Sequence, residues 1–356
     1  MNRRIAVVGA GIMGLSSSLH LATSLRLDGV PATVEVFAET FSPHNTSDGA
    51  AGLWHPLPDS GRETDWAFAT YDWLRFLMRK PIHGLIGISE FSGFRLVSQD
   101  LGQEDPIWKD RIPGFSFLTR NEIKKRGFPS DAAGFVYLAM MIQGNRYCQW
   151  LFDCVKRLEI KIHKQKVESF SQFVGQFDVV INCSGLGAIS LCSDNEVEPV
   201  RGQIIKMEAP WIKQFIIYNG KHQKKAYVVP CVDYVAIGST LQPGNWDRTV
   251  NPDDRKMILD MCYELEPSLK KARIVDEWVG LRPGRRSGTR VEIEAVSYKN
   301  GSIQVVHNYG HGSKGLTFHW GCAQEATRLA YQALGVVGRQ KLADQLYGLI
   351  EFQSKM

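Results

Sequence analysis

The chain has 356 residues, of which 44% are hydrophobic and 22% are charged, and its formal net charge is +5. That length is enough for two domains with buried cores, and the composition is typical of a globular protein. Because the Lys and Arg residues are spread out rather than gathered in a stripe, we expect no nucleic-acid partner, whereas a mildly positive protein suits anionic ligands.

The cysteines and the N-terminus exclude further classes of protein. Seven cysteines lie apart from one another, without a C-x-x-C pair. This pattern argues against a disulfide framework and a metal site, and it favours a reducing compartment. Met1–Ile5 shows no signal-peptide pattern, and no apolar stretch is long enough for a membrane span, so we expect no membrane partner.

The first elements in chain order predict a β-α-β unit. Ile5–Gly9 is a short apolar run that ends in glycine, which indicates a buried strand. Ile12–Leu27 has its leucines roughly on one face and predicts a helix, which Asp28-Gly29 ends. Thr33–Ala38 has an alternating pattern of side chains and is rich in β-branched residues, so it predicts a second strand parallel to the first.

The middle of the chain is less regular. Residues 54–139 show poor periodicity, and residues 145–158 predict an amphipathic helix. Strand patterns occur in Phe177–Ile181, Gln203–Met207, Ala226–Val229, Tyr234–Ile237, Val291–Val296 and Ile303–Val306. A helix interrupts them after Asn251, a capping residue that Pro252 follows.

This order of elements predicts an α/β fold in which a Rossmann-like domain is interleaved with a mostly β domain. We expect the Rossmann-like domain to comprise residues 1–52, 140–200 and 301–345, and the β domain to comprise residues 53–139 and 201–300. Residues 346–356 are expected to form a C-terminal tail.

A glycine-rich turn stands between the first strand and the first helix, as a dinucleotide-binding turn requires. It reads Gly9-Ala10-Gly11-Ile12-Met13-Gly14. Gly9 allows the tight turn, Gly11 lets the backbone approach a pyrophosphate, and Gly14 lets the helix pack on the strand. The helix N-terminus supplies free N–H groups for phosphates, and Glu39 after the second strand is expected to bind ribose hydroxyls.

The turn alone fits NAD as well as FAD, but two further segments favour FAD. Phe177–Gly185 is an apolar strand that ends in small residues, as a backbone passing close to an extended cofactor requires. Gly310–Gly315 opens a second long helix, which runs to about Leu334 and whose N-terminus would stabilise negative charge on a reduced flavin ring. An ordinary glycine-rich loop is the alternative interpretation of this second segment.

Six segments carry a resemblance to a known family. They are Val7–Leu15, Ala50–Pro56, Asn182–Gly185, Val200–Gln203, Gly280–Pro283 and His307–Cys322. Together they resemble the FAD-dependent D-amino acid oxidase and D-aspartate oxidase family, from about residue 4 to residue 335. The resemblance implies an FAD-binding domain, a substrate-binding domain and non-covalent FAD.

Position by position, the resemblance implies a set of FAD-binding residues. They are Gly9, Ala10, Gly11, Ile12, Met13, Gly14, Glu39, Asn45, Thr46, Ser47, Ala51, Gly52, Leu53, Val167, Ser184, Gly185, Arg282, Gly312, Ser313, Gly315, Leu316 and Thr317. Several of these positions fall in the two glycine-rich turns, where backbone approaches a ligand closely.

The resemblance also implies a substrate site. Arg282 matches an arginine that binds the substrate α-carboxylate in a bidentate manner, and a planar guanidinium suits a carboxylate on physical grounds too. Tyr227 matches a tyrosine that completes this site. Leu53, His55 and Ser313 are further expected substrate contacts. From the residues alone, Arg282 as an ion-pair partner and Tyr227 as an ordinary strand residue remain open alternatives.

The reaction implied is hydride transfer from the substrate Cα to flavin N5, followed by hydrolysis of the imino acid to a 2-oxo acid and ammonia. Oxygen is the second substrate and yields hydrogen peroxide. We expect no side-chain base, because the flavin carries the chemistry, and we expect His307 and His311 to be structural. An NAD-dependent dehydrogenase and a flavoprotein that is not an oxidase remain alternatives.

The family divides into branches with acidic and neutral substrates, and this chain has features of both. Lys221–Lys225 stands where the neutral branch has a mobile-loop tyrosine, and Ser313 stands where it tends to have glycine. By contrast, Leu53–Pro56 and Leu316-Thr317 resemble the neutral branch. We predict a D-aspartate oxidase that also accepts D-glutamate, with a broad oxidase of neutral or basic D-amino acids as the alternative.

A second substrate carboxylate needs a compensating cation. Phe215–Gly220 lacks the arginine that is typical of the D-aspartate branch, so the predicted contact is Lys221–Lys225 or His55. A solvated loop is the alternative role for that lysine-rich segment.

The last three residues predict a cellular address. Ser354-Lys355-Met356 is a close variant of the Ser-Lys-Leu signal that the peroxisomal import receptor binds. An enzyme that produces peroxide fits this compartment, because catalase resides there. We therefore expect the peroxisomal matrix, with the cytosol as the alternative, and the sequence leaves the oligomeric state open.

Overall fold

The structure is a computed structural model that describes residues 2–55, 61–102, 105–220, 225–339 and 341–352. In chain order its strands are β1 (Arg3–Val8), β2 (Ala32–Ala38), β3 (Ile88–Ser98), β4 (Ser116–Phe117), β5 (Ala132–Ile142), β6 (Lys161–Lys164), β7 (Val179–Asn182), β8 (Val197–Glu208), β9 (Phe215–Asn219), β10 (Lys225–Pro230), β11 (Val235–Gly238), β12 (Gln242–Pro243), β13 (Arg273–Arg285), β14 (Arg290–Tyr298) and β15 (Gly301–Tyr309). Its helices are α1 (Ile12–Leu27), α2 (Arg62–Met78), α3 (Arg120–Lys125), α4 (Gly144–Arg157), α5 (Ala188–Leu191), α6 (Pro252–Leu265), α7 (Gly315–Leu334) and α8 (Ala343–Phe352).

The first sheet confirms the predicted β-α-β unit. Its strand order is β14-β15-β7-β1-β2-β6, and β1 pairs in parallel with both β2 and β7. Helix α1 connects β1 to β2 and packs against α4 and α7. Ile5 and Val7 in β1 are fully buried, as expected for a central parallel strand with covered faces.

The second sheet is built from two excursions of the chain. Strands β3 to β5 come from the segment between β2 and β6, and β8 to β13 come from the segment between β7 and β14. Its order is β12-β8-β11-β10-β9-β3-β5-β4, and β13 pairs with β8. The α/β fold with an interleaved second domain is therefore as predicted.

Three of the predicted boundaries need correction. Residues 201–300 do not all belong to the second sheet, because Arg290–Tyr298 pair antiparallel with β15 in the first. Residues 140–142 continue β5 in the second sheet, and β8 begins there at Val197. A strand pattern records burial on its two faces but not which sheet supplies its neighbours, so these positions could not be read from the sequence.

Four helices were not predicted, namely α2, α8 and the short helices α3 and α5. Helix α2 lies in the stretch of poor periodicity and packs against α7, where Trp73 stacks on Trp320 with ring centroids 3.9 Å apart. Helix α8 replaces most of the expected tail, and its Leu346 and Ile350 are buried. In the described part of the chain, no helix combines the length and apolarity needed to cross a bilayer.

Candidate active site

A cavity of about 900 Å³ is lined by residues of both sheets. That volume lies within the range of cofactor and small-molecule sites. The glycine turn after β1 and Glu39 after β2 contribute its wall on the side of the first sheet. Tyr227 on β10 and Arg282 on β13 contribute its wall on the side of the second sheet.

The turn after β1 has the geometry that its glycines predict. Gly9 has φ +106°, and a Cβ there would overlap the carbonyl oxygen of Cys183. A Cβ on Gly14 would overlap the carbonyl oxygen of Gly9, so this residue lets α1 pack closely on the turn. Beside Gly11 the nearest atom to a Cβ would be Ser47 Oγ, 3.6 Å away, which leaves the backbone open to a ligand.

The loop after β2 is fixed to this turn. Asn45 Nδ2 donates to the carbonyl oxygen of Ala10 at 3.0 Å, and the Ile12 backbone N–H donates to Ser47 Oγ at 3.2 Å. Thr46 Oγ1 donates to the carbonyl oxygen of Leu281 on β13 at 3.0 Å. One short loop therefore connects the N-terminus of α1 with the strand that carries Arg282.

The second glycine-rich turn brings another helix N-terminus to the cavity. Helix α7 begins at Gly315, and a Cβ on this glycine would lie 3.8 Å from both Ile12 and Met13. The N-termini of α1 and α7 are thus neighbours, and neither helix has an acidic residue in its first turn. Two partial positive charges therefore face one cavity, which suits an anionic ligand.

Polar atoms along the cavity wall also indicate a large polar ligand. Ser184 Oγ, Asn308 Oδ1 and His311 Nε2 are buried, and they have no hydrogen-bond partner among the described residues. All three residues line the cavity. Since buried polar atoms normally have partners, a cofactor with its own donors and acceptors fits here. The residues present thus fit FAD.

Of the predicted site residues, all but Gly14 line the cavity. They are Gly9, Ala10, Gly11, Ile12, Met13, Glu39, Asn45, Thr46, Ser47, Ala51, Gly52, Leu53, His55, Val167, Ser184, Gly185, Tyr227, Arg282, Gly312, Ser313, Gly315, Leu316 and Thr317. Gly14 packs against the carbonyl oxygen of Gly9, which agrees with its predicted role in packing, and its contact with FAD stays a prediction. The contact made by each lining residue stays a prediction.

Sequence reasoning missed several lining residues. They include Lys166, Ile204, Ile217, Leu241, Arg248 and Trp278. Strand alternation was the signal available for Trp278, because residues two apart face the same side and Trp278 lies four before Arg282. Leu241 and Arg248 lie in irregular segments on either side of β12, where no periodicity marks a lining residue.

Arg282 is a partly buried arginine whose hydrogen-bond partners among the described residues are uncharged. Its Nη1 donates to the carbonyl oxygen of Thr240 and its Nη2 donates to Ser239 Oγ, both at 3.2 Å. Burial lowers the pKa of Arg282 from its usual value. No acidic side chain of the described residues pairs with it, so its charge is available for an anionic ligand.

Tyr227 is adjacent to this guanidinium and can donate a hydrogen bond. Burial raises the pKa of Tyr227 to about 12, against the opposing influence of Arg282. The phenol is therefore protonated at neutral pH. Together the two side chains present one cation and one neutral donor, the pairing that a carboxylate requires.

Two histidines that line the cavity, His55 and His311, are neutral at pH 7. Burial, with a contribution from Arg95, lowers the pKa of His55 well below its usual value, and His55 Nδ1 lies 2.8 Å from the Tyr137 hydroxyl. Burial lowers the pKa of His311 to about 3. His307 is bonded to Glu294 at 3.0 Å and to Asn182, which fits its expected structural role.

Comparison with known proteins agrees with this geometry. The family model described as FAD dependent oxidoreductase matches residues 4–329. Human D-aspartate oxidase is 34% identical over 335 residues, which cover 93% of this chain and 95% of the human protein. The chain belongs to the FAD-dependent oxidoreductase family that includes D-aspartate oxidase. FAD is therefore its cofactor.

Other members of this family match over similar lengths. D-amino acid oxidase of Dugesia ryukyuensis is 35% identical over 338 residues, 93% of this chain and 98% of that protein. Among solved structures, glycine oxidase from Geobacillus kaustophilus has a TM-score of 0.76 at 20% identity and covers 97% of this chain and 98% of its own. At that identity the structural match shows the shared fold alone.

Proposed function

We propose that the protein catalyses the oxidative deamination of D-amino acids and prefers those with an acidic side chain. The observation that carries the proposal is Arg282, a partly buried guanidinium whose hydrogen-bond partners among the described residues are uncharged, beside the protonated Tyr227 in the cavity that fits FAD. In this arrangement Arg282 binds both oxygens of the α-carboxylate, and Tyr227 donates to one of them. The relatives named D-aspartate oxidase and D-amino acid oxidase support the same reaction.

The residues of the site bind and orient the substrate rather than take its proton. Bound FAD would accept the hydride from the substrate Cα. Among the described lining residues Glu39 is the one carboxylate, and it lies beside the nucleotide turn rather than beside Tyr227. His55 and His311 are neutral, and His311 is buried. A substrate with a neutral amine therefore needs no side-chain base here, as the sequence predicts.

Lys225 supports the acidic preference. Every second residue of β10, namely Lys225, Tyr227 and Val229, lines the cavity. On the paired strand β9, Ile217 and Asn219 also line it. Two residues along a strand span about 7 Å, within reach of a flexible lysine side chain. No acidic side chain of the described residues pairs with Lys225. Lys221–Lys224, the rest of the predicted segment, lie outside the described residues.

A broad oxidase of neutral D-amino acids is the second candidate. The observation that favours it is the apolar part of the wall, to which Leu53, Ile217 and Leu241 contribute. An apolar side chain gains from burial there, whereas a carboxylate would need a compensating cation such as Lys225.

Rates with purified protein distinguish the two candidates. We expect kcat/KM for D-Asp and D-Glu to exceed the values for D-Ala and D-Met, measured as oxygen consumption with added FAD. A higher kcat/KM for D-Ala or D-Met would refute the acidic preference and leave the second candidate. Absence of flavin reduction by any D-amino acid under anaerobic conditions would refute both.

We also propose import into the peroxisomal matrix. The support is the sequence Ser354-Lys355-Met356, which lies outside the described residues, and the hydrogen peroxide that the proposed reaction releases. Deletion of the tripeptide should shift the tagged protein from catalase-containing organelles to the cytosol. Unchanged co-localisation with catalase after the deletion would contradict the proposal.

A further inference from the structure

Trp278 occupies the same row of the second sheet as Tyr227. Across β10, β11, β8 and β13, the residues directly opposite one another are Tyr227, Gly238, Ile204 and Trp278. Residues in one row of a sheet face the same side, and three of these four line the cavity. Trp278 is therefore part of the wall that carries the proposed carboxylate site.

A pair of glycines underlies Trp278 and Arg282. Gly202 on β8 is directly opposite Gly280 on β13. A Cβ on Gly280 would overlap the indole of Trp278, and a Cβ on Gly202 would overlap the guanidinium of Arg282. The indole thus fills the side-chain space of one glycine and the guanidinium fills that of the other. Because opposite Cβ positions in a sheet are about 5 Å apart, the two planar groups lie side by side.

The indole is covered from the other side by the loop after β2. A Cβ on Gly49 would overlap the fused ring atoms of Trp278. The same loop is attached to β13 through the hydrogen bond from Thr46 to Leu281. The Trp278 side chain is consequently packed between its own strand, which also holds Arg282, and the loop that contacts the N-terminus of α1.

We propose that Trp278 is a positioning residue that restricts the guanidinium of Arg282 to the orientation that binds a carboxylate. The hydrogen bonds to Ser239 and Thr240 fix two nitrogens of Arg282 on one side, and the indole occupies the neighbouring space. A preorganised guanidinium loses less conformational freedom when the ligand binds. This inference rests on the proposed role of Arg282 in binding the substrate carboxylate.

The test uses purified holoenzyme and benzoate, a simple carboxylate whose binding is followed by the change in flavin absorbance. Trp278→Ala is expected to raise the Kd for benzoate roughly tenfold, because the guanidinium gains freedom. The KM for the amino acid should rise in parallel, with a much smaller effect on kcat. Trp278→Phe, which keeps a planar ring, should restore most of the affinity. Trp211→Ala removes an exposed tryptophan outside the cavity and serves as the control.

A double-mutant cycle separates positioning from a general loss of structure. Gly280→Ala should weaken benzoate binding in the wild type, because the added methyl group displaces the indole. In the Trp278→Ala background the same methyl group enters empty space, so Gly280→Ala should cause no further loss. If Trp278→Ala does not retain FAD, the comparison is made between Gly280→Ala in the wild type and in Trp278→Phe, where the smaller ring should reduce its effect.

The outcomes are distinct for the inference and for the proposed function. An unchanged Kd for benzoate in Trp278→Ala, or equal losses from Gly280→Ala in both backgrounds, would overturn the positioning role. Undiminished benzoate binding in Arg282→Ala would overturn the carboxylate site itself. Loss of binding in Arg282→Ala together with normal binding in Trp278→Ala would leave the proposed function intact and reject only the inference.

Discussion

At the residue scale, Arg282 illustrates how a partly buried charge is kept available for a ligand. Removing a guanidinium from water is costly, and proteins usually offset the cost with a carboxylate. Here the resolved hydrogen-bond partners are the uncharged Ser239 and Thr240, and no described acid pairs with the group. A substrate carboxylate would supply the missing charge, so the same contact would provide binding energy and orientation.

Tyr227 gives a prediction for pH dependence. Tyr227→Phe removes a hydrogen bond to a charged ligand and should weaken benzoate binding roughly tenfold. Since burial raises the pKa of Tyr227 to about 12, the phenol stays a donor up to pH 10. Benzoate titrations of the wild type between pH 7 and 10 should therefore show no loss of affinity from this group. A loss near pH 10 that disappears in Tyr227→Phe would contradict this expectation.

Lys225 gives a prediction for substrate choice. Lys225→Met keeps the length of the side chain and removes its charge, so it should lower kcat/KM for D-Asp about tenfold or more while leaving D-Ala nearly unchanged. Lys213→Met, at an exposed lysine outside the cavity, controls for net charge. An equal effect of Lys225→Met on both substrates would argue against a contact with the side-chain carboxylate.

At the element scale, the sequence predicted the helix boundaries that depend on neighbouring residues, such as capping residues and glycine-rich turns. The helix α6 begins after Asn251 as expected, because the Asn251 side chain accepts from the backbone N–H groups of Asp253 and Asp254. Helix α1 likewise follows its glycine turn. Helix α2 was missed because it buries a wide face, including Trp66 and Tyr71, and a wide apolar face has weak periodicity.

The same limit applies to the active site, whose residues could be predicted where they lie in one short segment of sequence. The residues of the two glycine-rich turns were predicted because each turn is one continuous stretch of sequence. Lys225 belongs to the predicted segment Lys221–Lys225, whereas Trp278 joins the site through strand pairing, which depends on contacts distant in sequence. The sheet to which β14 belongs could not be predicted for the same reason.

Helix α8 gives a prediction for stability at this scale. Lys341, just before α8, forms an ion pair with Asp28 at the end of α1, and their side chains are only 7% and 8% exposed. Asp28 also accepts a hydrogen bond from the Tyr331 hydroxyl at 2.9 Å. Lys341→Met leaves a poorly solvated carboxylate, so it should lower the free energy of unfolding by up to about 3 kcal/mol in urea titrations.

The surface pair Lys256–Asp260 supplies the control for this prediction. Its side chains are 78% and 62% exposed, so solvent screens the interaction. Lys256→Met should leave the free energy of unfolding nearly unchanged. Equal effects of the two substitutions would show that burial does not strengthen the Lys341–Asp28 pair.

At the scale of the whole molecule, interleaving places three distant segments around one cavity. The turn after β1, the turn before α7 and strand β13 are far apart in the sequence, yet all three line it. The first sheet fixes both turns at the ends of β1 and β15, and the loop after β2 joins them to β13. The cofactor site and the substrate site are thereby held in one geometry.

Two histidines buried between the helices that cover the first sheet, His20 on α1 and His319 on α7, lead us to expect a loss of stability in mild acid. Burial lowers the pKa of His20 to about 4 and that of His319 to about 3, with Lys341 contributing at His20. Both histidines are therefore neutral in the folded protein and have an ordinary pKa near 6.5 when unfolded. Below pH 6.5 the unfolded state binds more protons than the folded state. The contribution of these histidines to the free energy of unfolding is therefore fully present above pH 6.5 and is lost as the pH falls toward 4.

Urea titrations at pH 7 and pH 5, with FAD in excess, measure this decline. Each buried histidine can contribute at most about 1.4 kcal/mol per pH unit in this range. His319→Gln removes one titrating group while leaving His20 in place, so the free energy of unfolding should fall less between pH 7 and pH 5 than in the wild type. The Ser16 hydroxyl lies 2.9 Å from His319 Nδ1 and gives the glutamine a polar partner, which limits the loss at pH 7. If the wild type and His319→Gln lose equal stability on acidification, the buried imidazole is not a cause of the acid sensitivity.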